Sequence, residues 1–286
     1  MKKIFLTGST GFIGSNINSY LICKGYKVTC VSRKKNNDKN FIQLDLTKKI
    51  KFKPKKKFDC IIHCASISPN DKKNYTFKDY FLNNVISTKN IIDFAINNKI
   101  KNILYLSSIS VLGNINDRII SNKTDIINPN YYGITKLIAE NLLIDNEKFN
   151  SLAIRLPGVL GKNSVRNWLT KTLNDLKNNK NISIYNPNSK FNNCIHVSDL
   201  YQLIISFLIN NTKIKDTITI GSKKQMRIVD VINLMKINSL SKSKILIKKN
   251  SNRKSFVISN QYATKKYKYN PSKTEEIIFR FTKENL

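Results

Sequence analysis

The chain has 286 residues, with 50 Lys+Arg against 18 Asp+Glu, a formal charge of +32, and 41% hydrophobic and 9% aromatic residues. That apolar content excludes a disordered basic tail, and the length suits one large domain or two smaller ones. Only seven of the basic residues are arginine and 43 are lysine; sites that read phosphates or bases favour the bidentate arginine fork, so the charge reads as compositional bias on a tolerant surface.

Residues 3–7 read as a short apolar strand, followed by a glycine-rich turn and a helix with Phe12, Ile13, Ile17, Leu21 and Ile22 at helical spacing, ended by Gly25. Further strands are expected at 28–32, 41–46 and 59–64, with lysine-rich 48–57 as a solvated loop. A helix over 77–97, a strand over 102–108, a helix over 132–145 and a strand over 152–156 continue the alternation. The pattern predicts an α/β fold with a doubly wound parallel sheet. Beyond about residue 157 the alternation becomes irregular. The expected division is therefore 1–157, which carries the glycine-rich turn, and 158–286, a smaller lobe with some chain returning to the first domain.

The N-terminus, Met1-Lys2-Lys3-Ile4-Phe5-Leu6, imitates a signal peptide, but Gly8, Gly11 and Gly14 interrupt the apolar run. Apolar residues 203–209 are too few to span a bilayer. Cys23, Cys30, Cys60, Cys64 and Cys194 are odd in number, form no Cys-x-x-Cys and lie mostly in apolar runs. They read as small buried hydrophobes of a reducing compartment. With only His63 and His196 besides, no metal site is expected. The expected protein is soluble and cytoplasmic, with no membrane partner and no specific nucleic-acid partner.

Thr7-Gly8-Ser9-Thr10-Gly11-Phe12-Ile13-Gly14 joins the first strand to the first helix. Gly8 permits the tight turn, Gly11 lets backbone approach a pyrophosphate, and Gly14 lets helix pack on strand. The free N–H groups and dipole of the helix N-terminus face the phosphates. A dinucleotide held by Gly8, Thr10, Gly11, Phe12, Ile13 and Gly14 is expected, since a plain connecting loop seldom needs three glycines so spaced. The second strand ends Val31-Ser32-Arg33-Lys34-Lys35, with no carboxylate for a ribose 2′-hydroxyl. Ser32 and Arg33 suit a 2′-phosphate, so NADP is expected ahead of NAD.

The spacing Gly-x-x-Gly-x-x-Gly resembles the extended short-chain dehydrogenase/reductase family, its nucleotide-sugar epimerase/dehydratase group. The resemblance covers nearly the whole chain and implies a Rossmann-type sheet. Phe58-Asp59-Cys60-Ile61-Ile62-His63-Cys64-Ala65-Ser66 is similar to the family's fourth strand, whose end, at Cys64, Ala65 and Ser66, approaches the cofactor. The resemblance also gives cofactor contacts to Asp45, Leu46, Asn84 and Pro157. Tyr105-Leu106-Ser107-Ser108 looks like the catalytic-serine strand, and Cys194-Ile195-His196-Val197-Ser198-Asp199 like the strand-to-helix return of the substrate lobe. His63 reads as a packing histidine beside the cofactor, and His196 as either a structural histidine or a substrate contact.

The family's chemistry rests on Tyr-x-x-x-Lys with an upstream hydroxyl residue; the i, i+4 spacing puts both side chains on one helix face, where the ammonium is expected to lower the tyrosine pKa. With 12 Tyr and 43 Lys the pattern is expected by chance about twice, and it occurs four times: Tyr20/Lys24, Tyr132/Lys136, Tyr262/Lys266 and Tyr269/Lys273. Tyr132/Lys136 alone follows the strand ending in Ser108, so Ser108, Tyr132 and Lys136 are the expected catalytic residues, the last two also touching the cofactor.

Ile109-Ser110 stand where 4,6-dehydratases of the family carry Asp-Glu, which argues against dehydration. Leu112 replaces a Tyr common in epimerases, Asn192 replaces an Arg that faces the sugar nucleotide, and the substrate lobe reads as trimmed. The implied function is hydride transfer between nicotinamide C4 and a carbon of a nucleotide-linked sugar, leaning to 4-keto-sugar reduction. The alternatives are 4-epimerisation and a non-catalytic NADP-sensing protein. A homodimer through the helices at 77–97 and 132–145 is expected by the same resemblance.

Overall fold

Ile4, Phe5, Leu6 and Thr7 are all buried, so β1 (Lys3–Thr7) has neighbours on both faces, as an interior parallel strand must. The computed structural model describes residues 2–33, 40–69, 73–210, 212–248 and 255–286; Lys34 and Lys35, part of the expected 2′-phosphate segment, lie outside them. β1 belongs to a seven-stranded sheet with β2 (Lys27–Ser32), β3 (Phe41–Gln43), β4 (Cys60–His63), β5 (Asn102–Ser108), β6 (Asn150–Leu156) and β7 (Lys215–Thr219). The spatial order is β7-β6-β5-β4-β1-β2-β3, and β1–β2, β2–β3, β1–β4 and β4–β5 pair in parallel. The expected doubly wound sheet is therefore present. Its winding reverses between β1 and β4, and ligands of such sheets bind beyond the strands' carboxyl ends at that point.

The helices are α1 (Phe12–Cys23), α2 (Phe77–Tyr80), α3 (Ser87–Asn97), α4 (Tyr131–Ile144), α5 (Trp168–Lys177), α6 (Asp199–Ile209), α7 (Ile228–Asn238), α8 (Gln261–Tyr267) and α9 (Thr274–Glu284), with a π-helical turn over Phe81–Ile86 between α2 and α3. Two compact units form: Met1–Gly113, Ile126–Arg155 and Tyr201–Ile218 make the first, and Asn114–Asp125, Leu156–Leu200 and Thr219–Leu286 the second. The first unit is cored by residues such as Phe5, Val31, Ile61, Phe94, Tyr105 and Leu143, with the Phe5 ring 4.8 Å from Phe94 and 5.1 Å from Phe58. The second has its own core, including Leu160, Leu173, Phe191, Ile232 and Phe281.

Local chemistry explains where elements depart from the sequence pattern. The strand expected over 41–46 stops at Gln43, because Asp45 turns the chain by accepting from the Thr47 amide and hydroxyl. The buried stripe of α1 is Gly14, Ile17 and Leu21, whereas Ile22 is exposed. Cys23 is exposed too, against the expectation of burial, while Cys30 and Cys64 are half-buried, and all five thiols are free. Among the described residues no helix is long and apolar enough to cross a membrane, and no His/Cys/Asp/Glu cluster could hold a metal.

His63, fully buried at the end of β4, ties three elements together. Its Nδ1 lies 2.7 Å from Thr7 Oγ1 on β1, and its Nε2 lies 3.1 Å from Thr88 Oγ1 on α3. Thr88 already donates its hydroxyl to the Asn84 carbonyl at 2.6 Å, so it accepts from His63 Nε2–H, and Thr7 donates to Nδ1. That network assigns a neutral ring. Burial, and then the charge of Lys136, lower the His63 pKa from 6.5 to about 3. Unfolded chains bind the proton below 6.5 and the native state does not, so stability is full above that pH and is lost as the pH falls toward 3. We expect His63 to contribute up to about 1.4 kcal/mol of destabilisation per pH unit in that window. Urea unfolding at stepped pH checks this: His63→Gln should flatten the slope, and an unchanged slope would assign it elsewhere.

Candidate active site

The turn after β1 is built from backbone. Gly8 has φ +67°, and a Cβ there would stand 2.7 Å from the Ala65 amide nitrogen, so a side chain is excluded twice over. Its amide donates to the Val31 carbonyl at 3.0 Å, and Gly11 donates back to Gly8 at 3.0 Å. A Cβ on Gly14 would stand 2.8 Å from the Gly8 carbonyl carbon and closer still to its oxygen, which lets α1 begin directly on the turn. Gly11 caps α1 without a side-chain hydrogen bond, and no acidic residue occupies the first helical turn. The first N–H groups of α1 are thus available to an anion. Thr10 and Gly11 are exposed, and Phe12 and Ile13 are half-buried beside them.

Ser32 ends β2 with its hydroxyl 3.0 Å from that of Thr10. The exposed Arg33 guanidinium donates to Asn83 Oδ1 at 3.1 Å. On the β4 side the Ala65 amide donates to Thr7 Oγ1 at 3.2 Å, beside half-buried Cys64 and exposed Ser66. Leu46 buries its side chain in the core and accepts from Asn90 at 2.8 Å, while Asp45 faces solvent. Asn84, in the π-helical turn and 1% exposed, commits its carboxamide to the protein. It accepts from the Ile67 amide at 2.9 Å and donates to the Ile67 carbonyl and to Thr135 Oγ1 at 3.1 and 3.2 Å. Asn84 thereby fastens the segment after β4 to α4.

Ser108 stands at the end of β5, where it accepts from the Ser110 amide at 3.1 Å and donates to Ser110 Oγ at 3.1 Å. Asn130 starts α4 by accepting from the Gly133 amide at 2.8 Å. A Cβ on Gly133 would stand 2.9 Å from the Ser110 carbonyl carbon and nearer its oxygen. Only glycine lets the first turn of α4 lie on the Ser108–Ser110 turn, which sets Tyr132 beside Ser108. Burial pushes the Tyr132 phenol up to about 12, against the pull of the neighbouring Ser108 hydroxyl. Lys136, one turn on and 1% exposed, donates from Nζ to the Leu106 carbonyl at 2.6 Å and lies 4.1 Å from the Tyr105 ring centroid. Burial lowers its pKa to about 7, opposed by Glu140 and Cys64. The expected lowering of the Tyr132 pKa is therefore absent in this arrangement: desolvation dominates, and the ammonium is engaged by Leu106 and Tyr105.

The other three Tyr-x-x-x-Lys pairs are placed differently. Lys24 lies 5.9 Å from the Tyr20 ring, which stacks on Tyr201 at 3.9 Å. Lys266 hydrogen-bonds Tyr262 at 3.0 Å on an exposed face. Tyr269 is fully buried, and Lys273 pairs with Glu276 at 2.7 Å. Sequence reasoning missed Gly133, Asn130, Glu140 and Arg155; the signal for the first was a glycine directly behind the tyrosine.

In the second unit Pro157 is buried next to the end of β6. Asn192 is 3% exposed and binds the Ser222 and Ile258 carbonyls at 3.1 and 2.8 Å and the Ile258 amide at 2.7 Å. It borders a shallow, open depression lined also by Lys190, Lys223 and Lys224. His196 packs between Ser198 (2.7 Å) and Glu284 (3.1 Å).

A model of the NAD dependent epimerase/dehydratase family matches residues 4–221. UDP-glucose 4-epimerase of Caenorhabditis elegans is 29% identical over 176 residues, 51% of this chain and 50% of that protein. dTDP-D-glucose 4,6-dehydratase of Dictyostelium discoideum is 26% identical over 268 residues, 81% of this chain and 61% of that protein. The chain thus spans from half to about three-fifths of the length of these curated relatives. Among solved structures, a UDP-galactose 4-epimerase superposes with a TM-score of 0.78 at 18% identity, covering 99% of this chain and 98% of that one. The UDP-Glc/GlcNAc 4-epimerase of Campylobacter jejuni gives 0.82 at 17%, covering 99% of each. These two share its fold.

Proposed function

The chain belongs to the NAD dependent epimerase/dehydratase family, and from that premise we propose that it epimerises carbon 4 of a nucleotide-linked sugar. The observation that carries the reading is Tyr132, set beside Ser108, with Lys136 buried one turn behind it, in the unit that carries the glycine turn. The uncapped N-terminus of α1 and the bare backbone of Gly8, Gly11 and Gly14 fit a dinucleotide pyrophosphate. When bound, the nicotinamide cofactor supplies hydride acceptance and return. Tyr132 moves the proton on the sugar oxygen, and Ser108 hydrogen-bonds that oxygen and stabilises the charge developing on it. Lys136 favours the ionised phenol once a substrate oxygen replaces part of the apolar surroundings. The lysine-lined surface depression of the second unit supports an anionic ligand such as a sugar nucleotide. There the amide of Asn192 is committed to backbone, leaving the recognition of negative charge to lysines.

Incubation with a panel of nucleotide sugars, followed by NMR, should show C4 inversion with no net change in nicotinamide absorbance. Tyr132→Phe should lose about 10²–10⁴-fold in turnover while keeping its cofactor. Absorbance that changes in step with product would replace this reading with 4-keto-sugar reduction, and a fully active Tyr132→Phe would remove the assignment of the base.

Ser32 and Arg33, at the end of a β2 without a carboxylate among its described residues, support NADP over NAD. Arg33→Ala should lower the ratio of NADP to NAD affinity about tenfold, and NAD preference in the unaltered protein would overturn the point. Phe77, Leu82, Tyr131, Ile134 and Leu142 leave between 36% and 61% of their surface exposed on the α2-to-α3 and α4 segments, which supports a homodimer through these helices. Mass in solution tests it, and a monomer at micromolar concentration would refute it.

A further inference from the structure

Glu140 and Arg155 are 1% and 7% exposed, and neither has a role in the reading above. The Glu140 carboxylate receives Arg155 Nε at 3.1 and 3.2 Å and Nη2 at 2.8 Å, a fork that joins α4 to β6. Bidentate pairs of this kind are costly to bury, and replacing them with apolar residues is often neutral or stabilising. Here the pair lies beside a third buried charge. Glu140 follows Lys136 by four residues, so both rise from one face of α4.

The surroundings of Lys136 offer little else to hold a cation. Its hydrogen bond goes to the Leu106 carbonyl on β5, and its second contact is the Tyr105 ring. The titratable groups facing it from the neighbouring elements are His63 on β4, Cys64 after β4, Tyr105 on β5 and Tyr132 on α4. All are neutral near pH 7: burial holds His63 low, and Cys64, Tyr105 and Tyr132 high. Glu140 is the nearby carboxylate, and the Arg155 fork holds it in place.

We propose that Glu140, clamped by Arg155, is a charge anchor that keeps Lys136 cationic inside the fold, making Glu140 and Arg155 positioning residues for proton transfer at Tyr132. The inference rests on the proposed reaction for the purpose of that cation, but the anchor can be tested without substrate or cofactor. Removing the carboxylate takes the opposing charge from Lys136 and leaves Arg155 as a second buried cation nearby. Lys136 then loses its proton at lower pH. A carboxylate restored on a shorter side chain recovers part of the effect.

The test is an NMR titration of ¹³C-labelled lysine in the full chain without ligands, with the Lys136 signal assigned by its loss in Lys136→Met. The unaltered chain should titrate near 7. Glu140→Gln should shift the midpoint down by about one pH unit or more, and Glu140→Asp by less. A purely structural role gives the reverse order, because glutamine keeps the shape and aspartate does not. Should Glu140→Gln fail to fold, Glu140→Gln/Arg155→Met removes both buried charges together, and its Lys136 midpoint must also fall. A Lys136 midpoint within about 0.3 pH unit of the unaltered chain in the folded Gln variants, or a larger shift in Asp than in Gln, overturns the anchor. A shift as expected, in a chain that converts no nucleotide sugar, overturns the proposed reaction and leaves the anchor standing.

Discussion

At two places in the first unit a helix begins closer to a strand end than any side chain permits. Gly14 sets α1 on the Gly8 carbonyl, and Gly133 sets α4 on the Ser110 carbonyl. A methyl group at either position would have to displace backbone rather than a flexible side chain, so neither helix start can be approximated by a looser packing. The other features of the unit depend on these two contacts. The bare N–H groups of α1 face the crevice beyond β1 and β4, and Tyr132 meets Ser108, because each helix starts where it does.

Much of this was legible in the sequence. Buried parallel strands read as continuous apolar runs, so β1, β2, β4 and β5 could be located within a residue or two, and Gly8, Gly11 and Gly14 are periodic enough to stand out from the background. Tyr132/Lys136 needed more than its motif. Lys266 hydrogen-bonds Tyr262 on an open helix face, so proximity of the two groups does not mark the site; position after the β5 serine does. What stayed hidden was set by tertiary partners. β7 arises from residues 215–219, far along a region of irregular pattern, because pairing at a sheet edge leaves no local periodicity. Asn84 reads as a contact for a ligand, yet its amide is taken up by Ile67 and Thr135, and only the folded π-helical turn brings those groups together. Glu140 and Arg155 are ordinary surface residue types in sequence, and their burial depends on α4 crossing β6.

The charge distribution separates along the same line. A formal charge of +32 resides largely on exposed lysines, several in pairs such as Lys89–Asp93 and Lys213–Glu147, which contribute little in water. Among the described residues of the first unit, the buried charged side chains are grouped: Lys136, Glu140 and Arg155 within two elements. The composition of the whole chain says nothing about that group.

The π-helical turn over 81–86 has a consequence for how the segment tolerates change. Wider winding there offsets the rotational phase of α3 from that of α2, each residue counting for about 100°. Upstream, Tyr80 lies with its ring centroid 6.0 Å from that of Tyr132; downstream, Thr88 meets His63. A uniform α-helix of the same length would aim one of the two elsewhere. The segment should therefore accept many substitutions that respect burial, yet resist the gain or loss of a single residue: its constraint is on length, a kind of information carried by spacing and by no individual side chain.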